Sequence, residues 1–199
     1  MVKFTLLLPW PRAVWQHLLV ALLLTGSCYA QPTEVGSITL NTGENALTSA
    51  IIDQPNGYGY FGTYTVPAVV VKVALGSGSS NSTRVGSVTM NTGENNAKSA
   101  IIDQLNGYGY FGTITAPGIV MQVALGSGSS NPTRVGSITL NTGEDTLSSA
   151  IIDQVKGYCY FGTNTSRGKV VKTFTFLVTG NPTTGTLEIV AVIVYMVGE

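Results

Sequence analysis

The sequence predicts an all-β protein made of three tandem repeats, each a small antiparallel sheet, and two observations carry this prediction. The first is self-similarity: a stretch that starts at Val35 recurs at Val85 and again at Val135, a period of 50 residues. The second is the regular spacing of turn residues, because short apolar runs alternate with Gly, Asn and Ser and show no helical periodicity. The predicted divisions are a leader, 1–30, and a β-repeat domain, 31–199, with repeats 35–84, 85–134 and 135–199, the last with a divergent tail.

The first thirty residues have the order of features found in a signal peptide. Lys3 and Arg12 precede an apolar run at 18–24, and small residues follow up to Ala30. We expect cleavage after Ala30 and a mature protein that is secreted or displayed at the cell surface. The apolar run is far shorter than the roughly 20 residues of a spanning helix, so the mature chain is expected to have no membrane span.

Composition excludes several classes of function. The chain has ten basic and ten acidic residues, and cleavage removes Lys3 and Arg12, so the mature protein has no basic surplus with which to bind nucleic acid. Cleavage also removes the only histidine, which excludes zinc sites and His-based catalytic triads. Cys159 is then the sole cysteine and is expected to be a buried, inert thiol. No cofactor is predicted.

Each copy contains four short apolar runs with turn residues between them. The Asn56-Gly57 pair indicates a tight hairpin, because both residues tolerate the positive φ that such a turn needs. The GSGSSN segments after the fourth run indicate flexible polar connections. In the first copy the runs are Val35–Leu40, Ser49–Asp53, Tyr58–Tyr64 and Ala68–Leu75.

The order SAIID, GYGYFGT, VVVKVAL and RVGSITLNTG resembles the blade of the YVTN type of β-propeller, over about Val35 to Val171. The resemblance implies a four-stranded antiparallel blade in which an inner strand ends in an acidic turn and a Tyr-rich strand follows. Blades are then offset from the sequence repeats, and Val35–Leu40 becomes an outer strand without a blade of its own. The implied strands of the first blade are Ser49–Asp53, Tyr58–Tyr64, Ala68–Leu75 and Val85–Met90.

The number of repeats leaves the complete architecture open. Propellers close with about four to eight blades, whereas this chain carries three. A partial propeller completed by homo-oligomerisation, a truncated and non-functional propeller fragment, and a different closed fold of β-trefoil type all fit three copies. The last copy diverges after Lys172, and its apolar segment Leu187 to Val197 is expected to form a buried strand.

Recurring carboxylates are the candidate metal and ligand sites. The aspartates end the inner strands, where they could bind a cation such as calcium in a central channel or cap their turns. The glutamates lie in the NTGE loops, where they could contact a ligand at one rim or be solvated. The two sets are Asp53, Asp103 and Asp153, and Glu44, Glu94 and Glu144.

The tyrosines of the GYGYFGT segment are further ligand-binding candidates. Because side chains alternate along a strand, both tyrosines of a segment share one face, where they could stack on a sugar or peptide or pack between neighbouring sheets. The first tyrosines of the three segments are Tyr58, Tyr108 and Tyr158. The basic residues at 72, 84, 134 and 172 are expected to be isolated charges at strand edges.

These observations predict a binding or structural interaction module without enzymatic activity. Its partner would be a protein or a glycan that the sequence does not identify. A carbohydrate-binding lectin on a threefold fold is the alternative from a different class.

Overall fold

The computed structural model describes residues 34–78, 80–175, 178–180 and 187–189. The predicted leader and its cleavage site, and most of the apolar C-terminal segment, lie outside the described residues. By its contacts the chain divides into Met1–Val35 and Gly36–Glu199, and every described strand belongs to the second unit. In the part of the chain described, the fold is all-β, with three antiparallel sheets of four, four and three strands and a separate two-stranded hairpin.

Within each sheet the strands follow one another in sequence order and pair antiparallel with their neighbours. The first sheet comprises β1 Leu47–Asp53, β2 Tyr58–Thr63, β3 Val69–Ala74 and β4 Thr83–Thr89. The second comprises β5 Ala97–Asp103, β6 Tyr108–Thr113, β7 Ile119–Ala124 and β8 Thr133–Thr139. The third comprises β9 Leu147–Asp153, β10 Tyr158–Thr163 and β11 Val170–Phe174, and the hairpin pairs β12 Val178–Gly180 with β13 Leu187–Ile189.

The turn between the first two strands forms where the Asn-Gly pairs predict it in the first and second sheets, and Lys156-Gly157 forms the same turn in the third. Gly57 has φ of +73°, a left-handed value that favours glycine, and its N–H donates to the carbonyl of Asp53 at 2.9 Å. Gly107 and Gly157 repeat this geometry. The hairpin therefore fixes the register in which the inner strand meets the Tyr-rich strand.

The predicted offset between sequence repeats and blades is confirmed. The first sheet begins in one repeat and takes its fourth strand, β4, from the start of the next, and the second sheet does the same with β8. The three sheets are arranged as blades of a partial propeller, and no closed barrel of the trefoil kind forms among the described residues.

Two predictions about strands at the chain ends need correction or narrowing. The predicted strand Val35–Leu40 is wrong: these residues form no strand, because a strand needs a hydrogen-bonded neighbour and no described strand pairs with them. In the predicted strand Leu187 to Val197, the described part Leu187–Ile189 is a strand that pairs with β12 alone. Its side-chain burial lies outside the described residues.

The core consists of two clusters, each lying between neighbouring sheets. We call the side of a sheet that carries its tyrosines the tyrosine face, and the opposite side, which carries Phe61, Phe111 or Phe161, the phenylalanine face. The tyrosine face of the first sheet packs on the phenylalanine face of the second, with Tyr60 and Val70 against Phe111 and Met121. The second and third sheets pack in the same way, with members Tyr110, Val120, Leu147, Cys159 and Phe161. One kind of interface is thus used twice.

Candidate functional site

The recurring aspartates cap the turns that follow the inner strands. The Asp53 carboxylate accepts hydrogen bonds from Asn56 Nδ2 at 3.0 and 2.8 Å, and Asp103 accepts one from Asn106 Nδ2 at 2.7 Å. Asp153 accepts one from the backbone N–H of Lys156 at 3.0 Å. No group of three or more His, Cys, Asp or Glu side chains that could hold a metal ion occurs in the described ranges. The three carboxylates are therefore not gathered into one cation site there.

Two of the recurring glutamates are buried in ion pairs, each with the arginine at the end of its own repeat. Glu44 accepts two hydrogen bonds from Arg84, one of them from Nε at 2.7 Å. Glu94 accepts two from Arg134, at 2.7 and 2.5 Å. The interpretation of these glutamates as solvated, and of these arginines as isolated edge charges, is wrong, because a bidentate arginine can satisfy both oxygens of a buried carboxylate.

The ion pairs change the protonation behaviour of both glutamates. Hydrogen bonds from Arg84 lower the pKa of Glu44 to about 2, against the opposing effect of burial. Burial raises the pKa of Glu94, but hydrogen bonds from Arg134 and Ser137 outweigh it, and the net pKa lies below the usual value.

Glu144, the third member of the set, has a different environment. It keeps the local hydrogen bond from the backbone N–H of Asn141 at 3.0 Å. It takes part in none of the ion pairs of the described residues. The third loop is therefore a natural internal control for the arginine pairs.

The candidate tyrosines of the first two sheets, Tyr58 and Tyr108, are partly buried and pack against the clusters between sheets. The second tyrosine of each segment is buried within those clusters. Tyr60 is fully buried and its hydroxyl donates to the Leu125 carbonyl of the second sheet at 2.9 Å. Tyr110 is buried and accepts a hydrogen bond from Gln122 Nε2 at 3.3 Å. Tyr158, in the third sheet, is only partly buried, and its ring packs on Phe174 at 4.8 Å between centroids.

Lys72 joins the first sheet to the second, which sequence reasoning missed. It is fully buried, so its interpretation as an edge charge is wrong. Its Nζ donates to the carbonyls of Leu125, Gly126 and Ser130 at 3.2, 2.9 and 3.2 Å, and lies 4.2 Å from the centroid of the Tyr58 ring. Burial lowers the pKa of Lys72, and the nearby Asp53 opposes that shift.

The end of the stack at the third sheet leaves a tyrosine face uncovered. Val70 and Val120 are buried in the two internal interfaces, whereas the corresponding Val170 is 75 % exposed. Ile51 is 8 % exposed, whereas Ile151 is 66 % exposed. Lys172 is exposed, and its Nζ lies 3.6 Å from the centroid of the Tyr158 ring. We call this surface the third-sheet end.

The opposite end of the stack leaves part of a phenylalanine face uncovered. Val71 and Val73 on this face are buried, and the exposed part lies on the first two strands. Phe61 and Leu75 are partly exposed, whereas Phe111 and Leu125, their counterparts in the second sheet, are buried. Ile52 is 54 % exposed. An open apolar hollow lies here, lined by Ala50, Ile51, Ile52, Gly59, Phe61 and Leu75. We call this surface the first-sheet end.

Comparison with known proteins adds no assignment: no protein-family model matches the sequence, and no curated protein matches it significantly. Among the described residues, none belongs to a helix long and apolar enough to cross a membrane.

Proposed function

We propose that the protein is a secreted or surface-displayed interaction module of β-propeller type, a binding or structural scaffold without enzymatic activity of its own. The observation that carries the proposal is the apolar surface left exposed at the two ends of the stack, which comprises the tyrosine face of the third sheet and the part of the first sheet's phenylalanine face around Gly59. Exposed apolar surface of this kind marks interaction sites in folded proteins. Because the first-sheet end is apolar and carries no charged lining residue, it fits a protein partner better than a polar ligand.

Relationship to YVTN-type propellers is part of the proposal. It rests on the blade motif in the sequence and on strand limits that agree with that motif, with the inner strand ending at Asp53 and the Tyr-rich strand starting at Tyr58. The aspartates and the two paired glutamates, which were candidates for a chemical site, have structural partners instead, and this also supports a scaffold over an enzyme.

Export is tested by sequencing the N-terminus of protein recovered from the medium or cell surface of its host. The proposal expects a chain that starts at Gln31. A chain found only inside the cell with Met1 intact would contradict export.

The interaction role is tested by charging the two end faces. A double variant, Ile52→Lys with Ile151→Lys, is compared with a control of equal charge, Leu105→Lys with Val155→Lys, whose side chains are 78 % and 96 % exposed in turns away from the faces. Both are immobilised as the mature chain and exposed to purified mature chain and to the extracellular proteins of the host.

The proposal expects the end-face variant alone to lose binding to every protein that the parent captures. Equal binding by the two variants would contradict it. Binding of the parent to a glycan array, retained by the end-face variant, would instead support the lectin alternative.

A further inference from the structure

The two uncovered ends of the stack are the two halves of the interface that the chain already uses twice. The third-sheet end is a tyrosine face without a following sheet, and the first-sheet end is a phenylalanine face without a preceding one. Because the internal interfaces show which residues meet, the contacts between the two ends can be worked out position by position.

The first pair of positions is an isoleucine on the tyrosine face of one sheet and a glycine on the phenylalanine face of the next, which leaves room for the isoleucine. At the interface of the first and second sheets, a Cβ placed on Gly109 would lie 2.7 Å from Cδ1 of Ile51, so the isoleucine occupies the space that a side chain would need. The equivalent glycine of the first sheet, Gly59, lines the open hollow and meets only Leu75 and Phe61 of its own sheet. The equivalent isoleucine of the third sheet is the exposed Ile151. The hollow at Gly59 and the exposed side chain of Ile151 thus correspond to the two partners of the contact between Gly109 and Ile51.

In the second pair the glycine lies on the preceding sheet, and the side chain that occupies its space comes from the following sheet. Gly62 and Gly112 each face the first residue of the next inner strand, with Cβ positions 2.8 Å from Ala97 and 2.7 Å from Leu147. Gly162 meets only Ser149 of its own sheet. The residue that would fill its space is the counterpart of Ala97 and Leu147, which is Leu47. Leu47 is 46 % exposed, whereas Leu147 is fully buried.

The third pair is polar and explains an irregularity of the repeat. Lys72 donates to carbonyls of the GSGSSN loop that follows β7. The second sheet carries Gln122 at this position, and the third sheet, on which it packs, lacks a GSGSSN loop in its sequence. The third sheet again carries lysine at this position, Lys172. The GSGSSN loop of the first sheet, which begins at Gly76, receives no lysine from a neighbouring sheet among the described contacts. The lysines therefore match the loops only if the third sheet packs on a first sheet.

We propose that the protein associates head to tail with a second copy, the third-sheet end of one molecule packing on the first-sheet end of the other. Ile151 then fills the hollow at Gly59, Leu47 covers Gly162, and Lys172 donates to the carbonyls of Leu75, Gly76 and Ser80. The proposal rests on the proposed function, since it names the partner of the same end faces. Two copies supply six sheets, which lies within the four to eight of closed propellers, so we infer a closed dimer with two equivalent interfaces.

The mature chain is tested by light scattering and sedimentation over a range of concentrations. The parent and the turn control Val155→Lys are expected at twice the chain mass, and Ile52→Lys and Ile151→Lys, each alone, at the monomer mass. Circular dichroism and thermal melting at low concentration verify that the variants are folded.

Mixing the two end variants gives the sharpest result. Each has one intact end, so an equimolar mixture is expected to form a one-to-one heterodimer although neither variant dimerises alone. Dimerisation of either variant alone through its intact end would show that like faces pair with like. A mixture that stays monomeric while the parent dimerises would also overturn the head-to-tail arrangement.

The lysine contact has its own matched pair of variants. Lys172→Gln is expected to raise the dimer Kd about tenfold or more, as loss of hydrogen bonds from a charged group does, without lowering the melting temperature of the monomer. Lys72→Gln is expected to lower that melting temperature and to leave the Kd within a few-fold of the parent value. Equal effects of the two variants on Kd would contradict the assigned contact.

A parent chain that stays monomeric at every concentration would overturn the self-association. The proposed function would survive that result if the end-face variant still lost capture of another protein. It would fail separately if the end faces mattered to no binding at all.

Discussion

The ion pair between Glu44 and Arg84 gives a prediction whose size can be worked from the structure. Glu44→Gln removes the charge while keeping the shape of the side chain. The carboxylate and guanidinium side chains are 6 % and 24 % exposed, so solvent screens the pair only weakly. The pKa of Glu44 falls from 4.5 to about 2, and each unit corresponds to about 1.4 kcal/mol, so the charged form stabilises the fold by about 3 kcal/mol. The glutamine retains part of the hydrogen bonding, and we expect a loss of about 2–3 kcal/mol at pH 7.

The pH dependence of this stabilisation has a definite sign. The pKa is lower in the folded state than in the unfolded state, so the contribution is fully present above pH 4.5 and is lost as the pH falls from 4.5 through about 2. The assay is urea unfolding followed by circular dichroism at pH 7 and at pH 2, at one protein concentration. The difference between parent and variant should be present at pH 7 and absent at pH 2.

Glu144→Gln is the matched control. Its glutamate keeps the hydrogen bond from Asn141 but has no arginine partner among the described residues. We expect it to cost less than about 1 kcal/mol, the usual net value of a single hydrogen bond. Equal costs for the two glutamine variants, or a Glu44→Gln cost that is the same at pH 7 and pH 2, would refute the assignment of the stability to the arginine pair.

Two further predictions concern the packing between sheets. Gly112→Ala should cost about 1–3 kcal/mol in urea unfolding, because its Cβ would lie 2.7 Å from Cβ of the buried Leu147, an atom that cannot move aside without the backbone. Gly136→Ala, with nothing within 4 Å, should cost little, and a reversed order would contradict the contact between Gly112 and Leu147. The Cys159 thiol is fully buried and its pKa is raised to about 12, so a disulfide reagent at pH 8 should label it only as fast as the protein unfolds. Rapid labelling of the folded chain would show that the third sheet is not packed as described.

The strands of the repeat could be predicted from the sequence because their limits are set locally. Glycine and asparagine mark the turns, and the apolar run before Asp53 and the Tyr-rich run after Tyr58 begin and end within two residues of the observed strands. The offset of the blades was implied by the resemblance to the YVTN-type blade, since the order of the runs alone also fits other threefold β-folds. The failure at Val35–Leu40 has the opposite cause, since those residues have the pattern of a strand but no described neighbour to pair with.

Contacts between positions far apart in the sequence could not be predicted in the same way. Glu44 and Arg84 are forty residues apart, and nothing local to either indicates that they meet. The available signal was the recurrence of the same spacing at Glu94 and Arg134. That recurrence has a structural meaning once the arginine is placed on the fourth strand of the sheet whose first strand follows the glutamate loop. The exposure of individual side chains could not be predicted either. Ile51 and Ile151 lie in identical segments, yet Ile51 is 8 % exposed and Ile151 is 66 % exposed, because only Ile51 is covered by a following sheet.

The glutamine at position 122 restricts which sheet can pack on which other sheet. If all three sheets carried lysine and all three were followed by the same loop, any sheet could pack on any other, and molecules could slip past one another by one sheet or exchange sheets during folding. With Gln122 between Lys72 and Lys172, a slipped pairing places an amide where an ammonium is needed, or an ammonium where no loop receives it. The difference between Gln122 and the two lysines therefore makes nearly identical sheets distinguishable from one another.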